Sequence, residues 1–208
     1  MFFKCKGGSG SNVTIDGVEV EEDLALSSGV MDLSVSTLPY QFHQSSAVVK
    51  DNEIHILGSG NSSYYKYHYK YNGTSWTSVS TLPYKLYYGS AVVYKNEIHI
   101  LGCGESSYYN NHYKYNGTSW TSVSALHCDF GQGSVVVKDN EIHIMGSYVT
   151  NERKSHYKYN GTSWTSVSTL PYDFNQGCAV LKDNEIHILG SNASSSYRKY
   201  HYKSKKQR

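Results

Sequence analysis

The chain has 208 residues, of which 14% are aromatic and 17% charged, and its formal net charge at pH 7 is +2. So small a charge does not indicate a nucleic-acid-binding protein, and no apolar run is long enough to predict a signal peptide or a membrane-spanning helix. The four cysteines, at positions 5, 103, 128 and 178, form neither a CxxC pair nor a disulfide framework. We therefore expect no structural disulfide and no membrane anchor.

Residues 1–31 lie outside the pattern that fills the rest of the chain. The segment GGSGSN, which begins at Gly7, has the composition of a flexible linker. The letters SNVTIDGVEVEEDLAL, from Ser11 to Leu26, predict two short strands joined by an Asp-Gly turn. We predict that residues 1–31 are a short N-terminal extension or attachment segment.

From residue 32 to residue 203 the chain repeats a unit of 44 residues, and the motif EIHI begins at Glu53, Glu97, Glu141 and Glu185. Within a unit, the apolar run SAVV, the alternating segments EIHIL and KYHYKY, and the segment SWTSV predict four short strands. Polar turns separate them, and Asn-Gly between the third and fourth is a strong hairpin signal. Four antiparallel strands per unit are typical of a propeller blade. The predicted fold class is therefore all-β, a β-propeller of four four-stranded blades.

The two ends of the repeat region predict how the propeller closes. The fourth unit ends after its third strand, whereas DLSVSTLPY, from Asp32 to Tyr40, copies WTSVSTLPY of the other units. The N-terminal strand, Leu33 to Thr37, is therefore predicted to complete the last blade and to remove exposed strand edges. An open arc that pairs with a second chain is the alternative. Residues 204–208 are predicted to form a basic, disordered tail.

These features resemble those of kelch-repeat β-propellers. The resemblance rests on the apolar first strand, on a glycine that closes the second strand, and on a tyrosine five residues before a tryptophan. The glycines are Gly58, Gly102, Gly146 and Gly190, and the tyrosine and tryptophan pairs are Tyr71 with Trp76, Tyr115 with Trp120 and Tyr159 with Trp164. Serine or cysteine stands where the family usually has a second glycine. The segments WTSVSTLPY and NEIHILG also resemble kelch-like repeat proteins encoded by phages and mobile elements of gut bacteria, which implies a cytoplasmic or virion-associated protein.

Comparison of the four copies separates constant connections from diversified ones. The turns between strands one and two and between strands three and four hardly change, whereas the second-to-third and fourth-to-first connections differ in every unit. In an up-and-down blade these two diversified connections emerge at the same end, so one face of the propeller is predicted to be constant and the other diversified. Binding residues are concentrated on loops held by a rigid scaffold, although loop drift without selection remains the alternative.

The diversified loops are rich in aromatic, amide and carboxylate side chains, a mixture typical of binding surfaces. The candidate ligand-binding residues are Phe42, His43, Tyr64, Tyr65, Tyr87, Tyr88, Tyr108, Tyr109, Asp129, Phe130, Asp173 and Asn175. The expected partner is a glycan or protein receptor, and we expect neither nucleic acid nor membrane as a partner. The chain itself is expected to be a monomer or a homo-oligomer.

The repeated histidines and tryptophans are predicted to be structural. Eight of the ten histidines recur in strands two and three through copying, and the resemblance implies that the position of His55 has a structural role in kelch strands. Trp76, Trp120 and Trp164 are predicted to pack between blades. No metal, cofactor or catalytic residue is predicted. The leading hypothesis is a non-catalytic binding module, the alternatives being a kelch-type protein–protein adaptor inside the cell and an enzyme of the galactose-oxidase-like propeller type.

Overall fold

A computed structural model of the chain describes residues 36–59, 66–104 and 110–204. The chain forms two compact units, Met1–Thr37 and Leu38–Arg208. Of the first unit only Ser36 and Thr37 are described. The predicted extension, its boundary with the repeats, the basic residues from Lys205 onward and the strand positions of the predicted closing segment therefore lie outside the described residues.

The second unit consists almost entirely of short strands. In chain order they are β1 (Ser46–Lys50), β2 (Glu53–Leu57), β3 (His68–Tyr71), β4 (Trp76–Ser78), β5 (Ser90–Tyr94), β6 (Glu97–Leu101), β7 (His112–Tyr115), β8 (Trp120–Ser122), β9 (Ser134–Lys138), β10 (Glu141–Met145), β11 (His156–Tyr159), β12 (Trp164–Ser166), β13 (Cys178–Lys182), β14 (Glu185–Leu189) and β15 (His201–Lys203). Two short 3₁₀ helices, Thr150–Glu152 and Ser195–Lys199, lie in the second-to-third-strand connections of the last two units.

The strands form one antiparallel sheet per repeat, in the order β1-β2-β3-β4, β5-β6-β7-β8, β9-β10-β11-β12 and β13-β14-β15. The first strands of consecutive sheets are neighbours, β1 beside β5, β5 beside β9 and β9 beside β13. The predicted all-β propeller arrangement of four blades is therefore confirmed. Within the described residues the fourth blade has three strands.

The constant turns explain why the register repeats so closely. Between strands one and two, the Asp51–Asn52 pair and its equivalents have two successive positive φ angles, 51° and 60° in the first blade, which is the pattern of a type I′ hairpin turn. Between strands three and four, the Oδ1 atom of Asn72 accepts hydrogen bonds from the backbone N–H groups of Thr74 and Ser75. These turns fix which residues face each other, so every blade presents the same two faces.

The two faces of a blade have different roles. One, here called the front face, carries the residues equivalent to Ile98 and Ile100, and the other, the back face, carries those equivalent to Leu57 and His68. The back face of each blade packs on the front face of the next: Leu57 contacts the cluster of Ile98 and Ile100, and the same packing recurs at the other two junctions. The hydrophobic core is therefore a series of equivalent junctions, each buried between two blades.

A histidine pair lies at each junction beneath an aromatic pair of the next blade. In the second blade, Nδ1 of His99 and Nε2 of His112 are 2.7 Å apart. The His112 ring meets the edges of Tyr159 and Trp164, with ring centroids 4.9 and 5.5 Å away, and Trp164 Nε1 donates a hydrogen bond to His112 Nδ1 at 3.3 Å. The predicted packing of Trp120 and Trp164 between blades is confirmed, because Trp120 contacts His68 in the same way.

Replacing Trp164 by alanine is expected to lower the free energy of unfolding by about 3 kcal/mol or more, as is usual when a large buried aromatic side chain is deleted. Trp164 is 2% exposed and loses both its packing and its hydrogen bond to His112. Urea unfolding followed by circular dichroism measures the change. Trp76→Ala is the matched control, since Trp76 is on the front face of the first blade and contacts Tyr71 of its own blade. Equal losses for the two variants would contradict the assignment of Trp164 to a junction.

A glycine after the second strand of each blade makes room for the next blade's loop. Gly146 has a φ of 64°, and a Cβ atom placed there would lie 2.0 Å from the backbone oxygen of Phe174. The same backbone oxygen accepts a hydrogen bond from Ser147 N–H at 3.1 Å. The Phe174 side chain is fully buried, so it forms a wedge between the third and fourth blades.

Candidate functional site

The fourth-to-first connections bring one residue of every blade into a row. Gln44, Tyr88, Gln132 and Gln176 are spaced by 44 residues and have φ angles of 54°, 57°, 55° and 50°. These four residues are called the left-handed row below. A left-handed conformation is uncommon for residues other than glycine, asparagine and aspartate, and such strained residues are concentrated at functional sites.

Backbone hydrogen bonds join the row across the blades. The N–H of Gln132 donates to the carbonyl oxygen of Tyr88 at 3.0 Å, and the N–H of Gln176 donates to that of Gln132 at 2.6 Å. The N–H of Tyr88 and the carbonyl oxygen of Gln44 are 3.4 Å apart. The row is therefore held by the same inter-blade contacts that hold the propeller, which gives its side chains fixed starting points.

The side chains of the row form a polar network at the diversified end of the blades. Gln44 Nε2 donates to the Tyr88 hydroxyl, and Gln176 Nε2 donates to Gln132 Oε1 at 2.8 Å. Asn192 Nδ2 donates to Gln176 Oε1 at 2.7 Å, and its own Oδ1 accepts from Arg198 at 3.0 Å. An amide side chain offers two donors and an acceptor with two lone pairs, so the row keeps further hydrogen-bonding capacity for a ligand.

Charged and aromatic groups lie on the loops beside the row. The Tyr87 and Tyr88 rings are in contact, with centroids 4.2 Å apart. An Asp173 carboxylate oxygen lies 4.0 Å from Arg153 and the other 4.0 Å from Lys154, and all three side chains are partly exposed. The surface thus combines aromatic faces, amides and one small group of mixed charge.

The predicted site residues fall into three groups. Tyr64, Tyr65, Tyr108 and Tyr109 lie outside the described residues. His43 and Asp129 are exposed on the diversified connections, and Tyr87, Tyr88, Asp173 and Phe42 are partly exposed there. The remaining two, Phe130 and Asn175, are buried.

Phe130 must be removed from the candidate surface, since its side chain is fully buried and cannot contact a ligand from solvent. It is the wedge between the second and third blades, and its carbonyl oxygen accepts a hydrogen bond from Cys103 N–H at 2.8 Å. Asn175 is 8% exposed, and its backbone N–H donates to Ser191 Oγ at 3.1 Å. Both residues support the loops from below.

Sequence reasoning missed three of the four residues of the row, Gln44, Gln132 and Gln176. A signal for them exists in the sequence, because the loops YQFHQS, CDFGQG and YDFNQG carry glutamine at the same place in the 44-residue period. We had weighed the aromatic and acidic residues of these loops and not the amides. Arg153 and Arg198 were missed because each belongs to a 3₁₀ segment or its end that exists in one unit only.

The described titratable groups are poorly suited to nucleophilic or acid–base catalysis. Burial raises the pKa of the thiols of Cys103 and Cys128 to about 12, so neither is a thiolate near neutral pH. Burial likewise lowers the pKa of His68 and of His112 to about 3, which keeps both rings neutral. Residues 36–59, 66–104 and 110–204 contain no group of three or more His, Cys, Asp or Glu side chains placed to hold a metal ion.

Comparisons with known proteins support the fold alone. No protein-family model and no curated protein matches the chain. Among solved structures, the propeller-like protein YjhT superposes with a TM-score of 0.67 at 12% sequence identity, over 76% of this chain and 61% of that one. The chain thus spans about three-fifths of the length of YjhT. No helix in the described part of the chain is both long enough and apolar enough to cross a membrane. The chain has the β-propeller fold.

Proposed function

We propose that the protein is a non-catalytic binding module of the kelch-like type, and that its diversified face recognises a glycan receptor, on a phage particle or a related element. The observation that carries the proposal is the left-handed row. Four strained, non-glycine residues are kept at one end of the blades, where their side chains form a network of amides and a phenol. Strain of this kind persists only where surrounding structure holds it in place.

The chemistry of the row favours a glycan ligand. Sugar hydroxyls both donate and accept hydrogen bonds, and so do glutamine amides and the tyrosine hydroxyl. The faces of Tyr87 and Tyr88 provide flat aromatic surface beside them, and the low net charge gives no general attraction for polyanions. In contrast, the constant turns at the other end use their polar groups locally: Asn116 Oδ1 already accepts two backbone hydrogen bonds.

The proposal is tested by a glycan array probed with the purified chain, followed by calorimetry with the best sugar. Tyr88→Ala is expected to weaken binding about 30-fold, which corresponds to the roughly 2 kcal/mol that a central aromatic anchor contributes. Gln132→Ala is expected to have a smaller effect in the same direction. Neither variant is expected to change the thermal unfolding midpoint by more than a few degrees.

Thr118→Ala, on a constant turn, is the matched control, because Thr118 is exposed and its side chain makes no hydrogen bond in the described structure. It is expected to bind like the wild type. Loss of binding through Thr118 but not through Tyr88 would place the functional face at the opposite end. Absence of any sugar binding, together with specific capture of one protein that Tyr88→Ala abolishes, would replace the glycan by a protein partner.

A further inference from the structure

The first and fourth blades each leave one face uncovered. Ile54, on the front face of the first blade, is 41% exposed, whereas its equivalents Ile98 and Ile142 are fully buried. Val180, on the back face of the fourth blade, is 44% exposed, whereas its equivalent Val136 is 8% exposed. These two apolar surfaces are called the front end and the back end below.

The two ends are the two halves of a junction that the molecule already forms three times. Each internal junction joins the back face of one blade to the front face of the next. The front end carries the residues that a back face covers elsewhere, and the back end carries those that a front face covers. A back end therefore fits a front end by construction, with the same residue types at the same register positions.

A matching wedge and slot lie at the two ends. At internal junctions the wedges Leu86, Phe130 and Phe174 fill the slot beside the glycine of the preceding blade. Beside Gly190 of the fourth blade this slot is a cavity of about 350 Å³, lined by Gly177, Cys178, Leu189 and Ser191 among others. The equivalent wedge of the first blade is Phe42, which is partly exposed and stacked on Tyr40.

The aromatic and histidine pairs match in the same way. His187 and His201 form the pair of the fourth blade, with Nδ1 and Nε2 2.8 Å apart, but His201 is exposed, whereas His68 and His112 are 1% exposed. The front end carries Tyr71 and Trp76, and Trp76 Nε1 has no acceptor within the described structure. At the internal junction, Trp164 Nε1 donates to a histidine of the preceding blade.

We infer that copies of this chain associate head to tail, the back end of one copy packing on the front end of another with Phe42 in the slot beside Gly190. Such an interface is heterologous, and two copies that use both ends form a closed ring. YjhT, a propeller-like chain that continues beyond the matched three-fifths, indicates that this arrangement of blades accommodates further blades. A predicted N-terminal strand on the outer edge of the fourth blade is compatible with the joint, which uses its back face.

Sedimentation equilibrium and native mass spectrometry of the full chain test the inference. The wild type is expected to associate, whereas Ile54→Glu at the front end and Val180→Glu at the back end are each expected to be monomeric. Because both side chains are exposed within one copy, the fold of each variant is expected to persist, as circular dichroism would verify. Thr165→Glu, on the exposed outer strand of the third blade, is the matched control and is expected to associate like the wild type.

Mixing the two monomeric variants distinguishes head-to-tail association from other modes. An Ile54→Glu copy keeps its back end and a Val180→Glu copy keeps its front end, so an equimolar mixture is expected to form a one-to-one dimer. Phe42→Ala is expected to weaken association at least about tenfold without unfolding the chain, a loss of about 1.4 kcal/mol. A wild type that stays monomeric, or a mixture that does not dimerise, would overturn the inference. Association only after residues 1–31 are deleted would also overturn it, because that segment would then be the cover.

Discussion

Lowering the pH from about 7 to about 4 is expected to remove several kcal/mol of stability from the folded chain. The unfolded chain takes up a proton on each imidazole as the pH falls through about 6.5. In the folded chain, burial lowers the pKa of His68 and His112 to about 3 and that of His99 and His156 to about 4. Between these values only the unfolded state gains protons, so acid favours unfolding, and above about 6.5 the contribution no longer depends on pH.

The geometry of the junction explains why these rings stay neutral. Trp164 Nε1 is a donor only, so His112 Nδ1 must accept, and the proton of His112 lies on Nε2, facing His99 Nδ1. Protonating His112 would place two N–H groups against each other in a buried site. The neighbouring Glu97 and Lys114 are paired at 3.0 Å, and their opposite charges act on His99 in opposite directions, which leaves burial as the main cause.

Urea unfolding at a series of pH values measures the effect, since each pKa unit corresponds to about 1.4 kcal/mol. His127→Asn is the control, because His127 is exposed on a loop, and its pH profile is expected to match the wild type. His156→Asn removes one buried group and is expected to reduce the slope between about pH 6.5 and 4. A stability that is constant down to about pH 4 would contradict the neutral, buried histidine pairs.

Replacing Gly146 by alanine is expected to cost about 5 kcal/mol, close to the total stability of a typical domain. The left-handed conformation of Gly146 strains any side chain by about 1–3 kcal/mol, and a Cβ atom 2.0 Å from Phe174 O adds an overpacking cost of about 1–3 kcal/mol. The contact is with backbone, so the whole Phe174 loop would have to move. Thermal and urea unfolding measure the loss.

Gly117→Ala separates these two causes. Gly117 also has a positive φ, 103°, but nothing lies within 4 Å of the Cβ position on its exposed turn. Only the conformational cost applies there, about 1 kcal/mol. Similar losses at Gly146 and Gly117 would indicate that the close contact between blades is unimportant.

Much of the fold could be predicted because each local pattern has one solution. The alternation in EIHIL and KYHYKY fixes two faces per blade, and the two turn types fix the register, as β2 and β3 confirm. The junction geometry could not be predicted in the same way, because a 44-residue period is compatible with any number of blades. Exposure of Ile54 and Val180 therefore became visible only in three dimensions.

The candidate surface was predictable by location more than by residue. The loops were identified from their variation between copies, but Phe130 and Tyr88 lie in equivalent loops and have opposite fates. Phe130 shares its position in the period with Phe42, Leu86 and Phe174, all apolar, which is the mark of a packing position. Tyr88 shares its position with three glutamines, and their shared left-handed backbone depends on contacts between blades that local sequence does not encode.

The equivalence of the junctions has an evolutionary consequence. Residues 71–84 and 159–172 are identical in sequence, so the corresponding stretches of the gene are natural sites for unequal recombination. A recombination event there would add or remove whole 44-residue units, and each new unit would arrive with a front face and a back face that already fit its neighbours. Lineages of such genes can therefore change the size of the recognition surface in single steps, without the intermediate loss of fitness that a new interface would require.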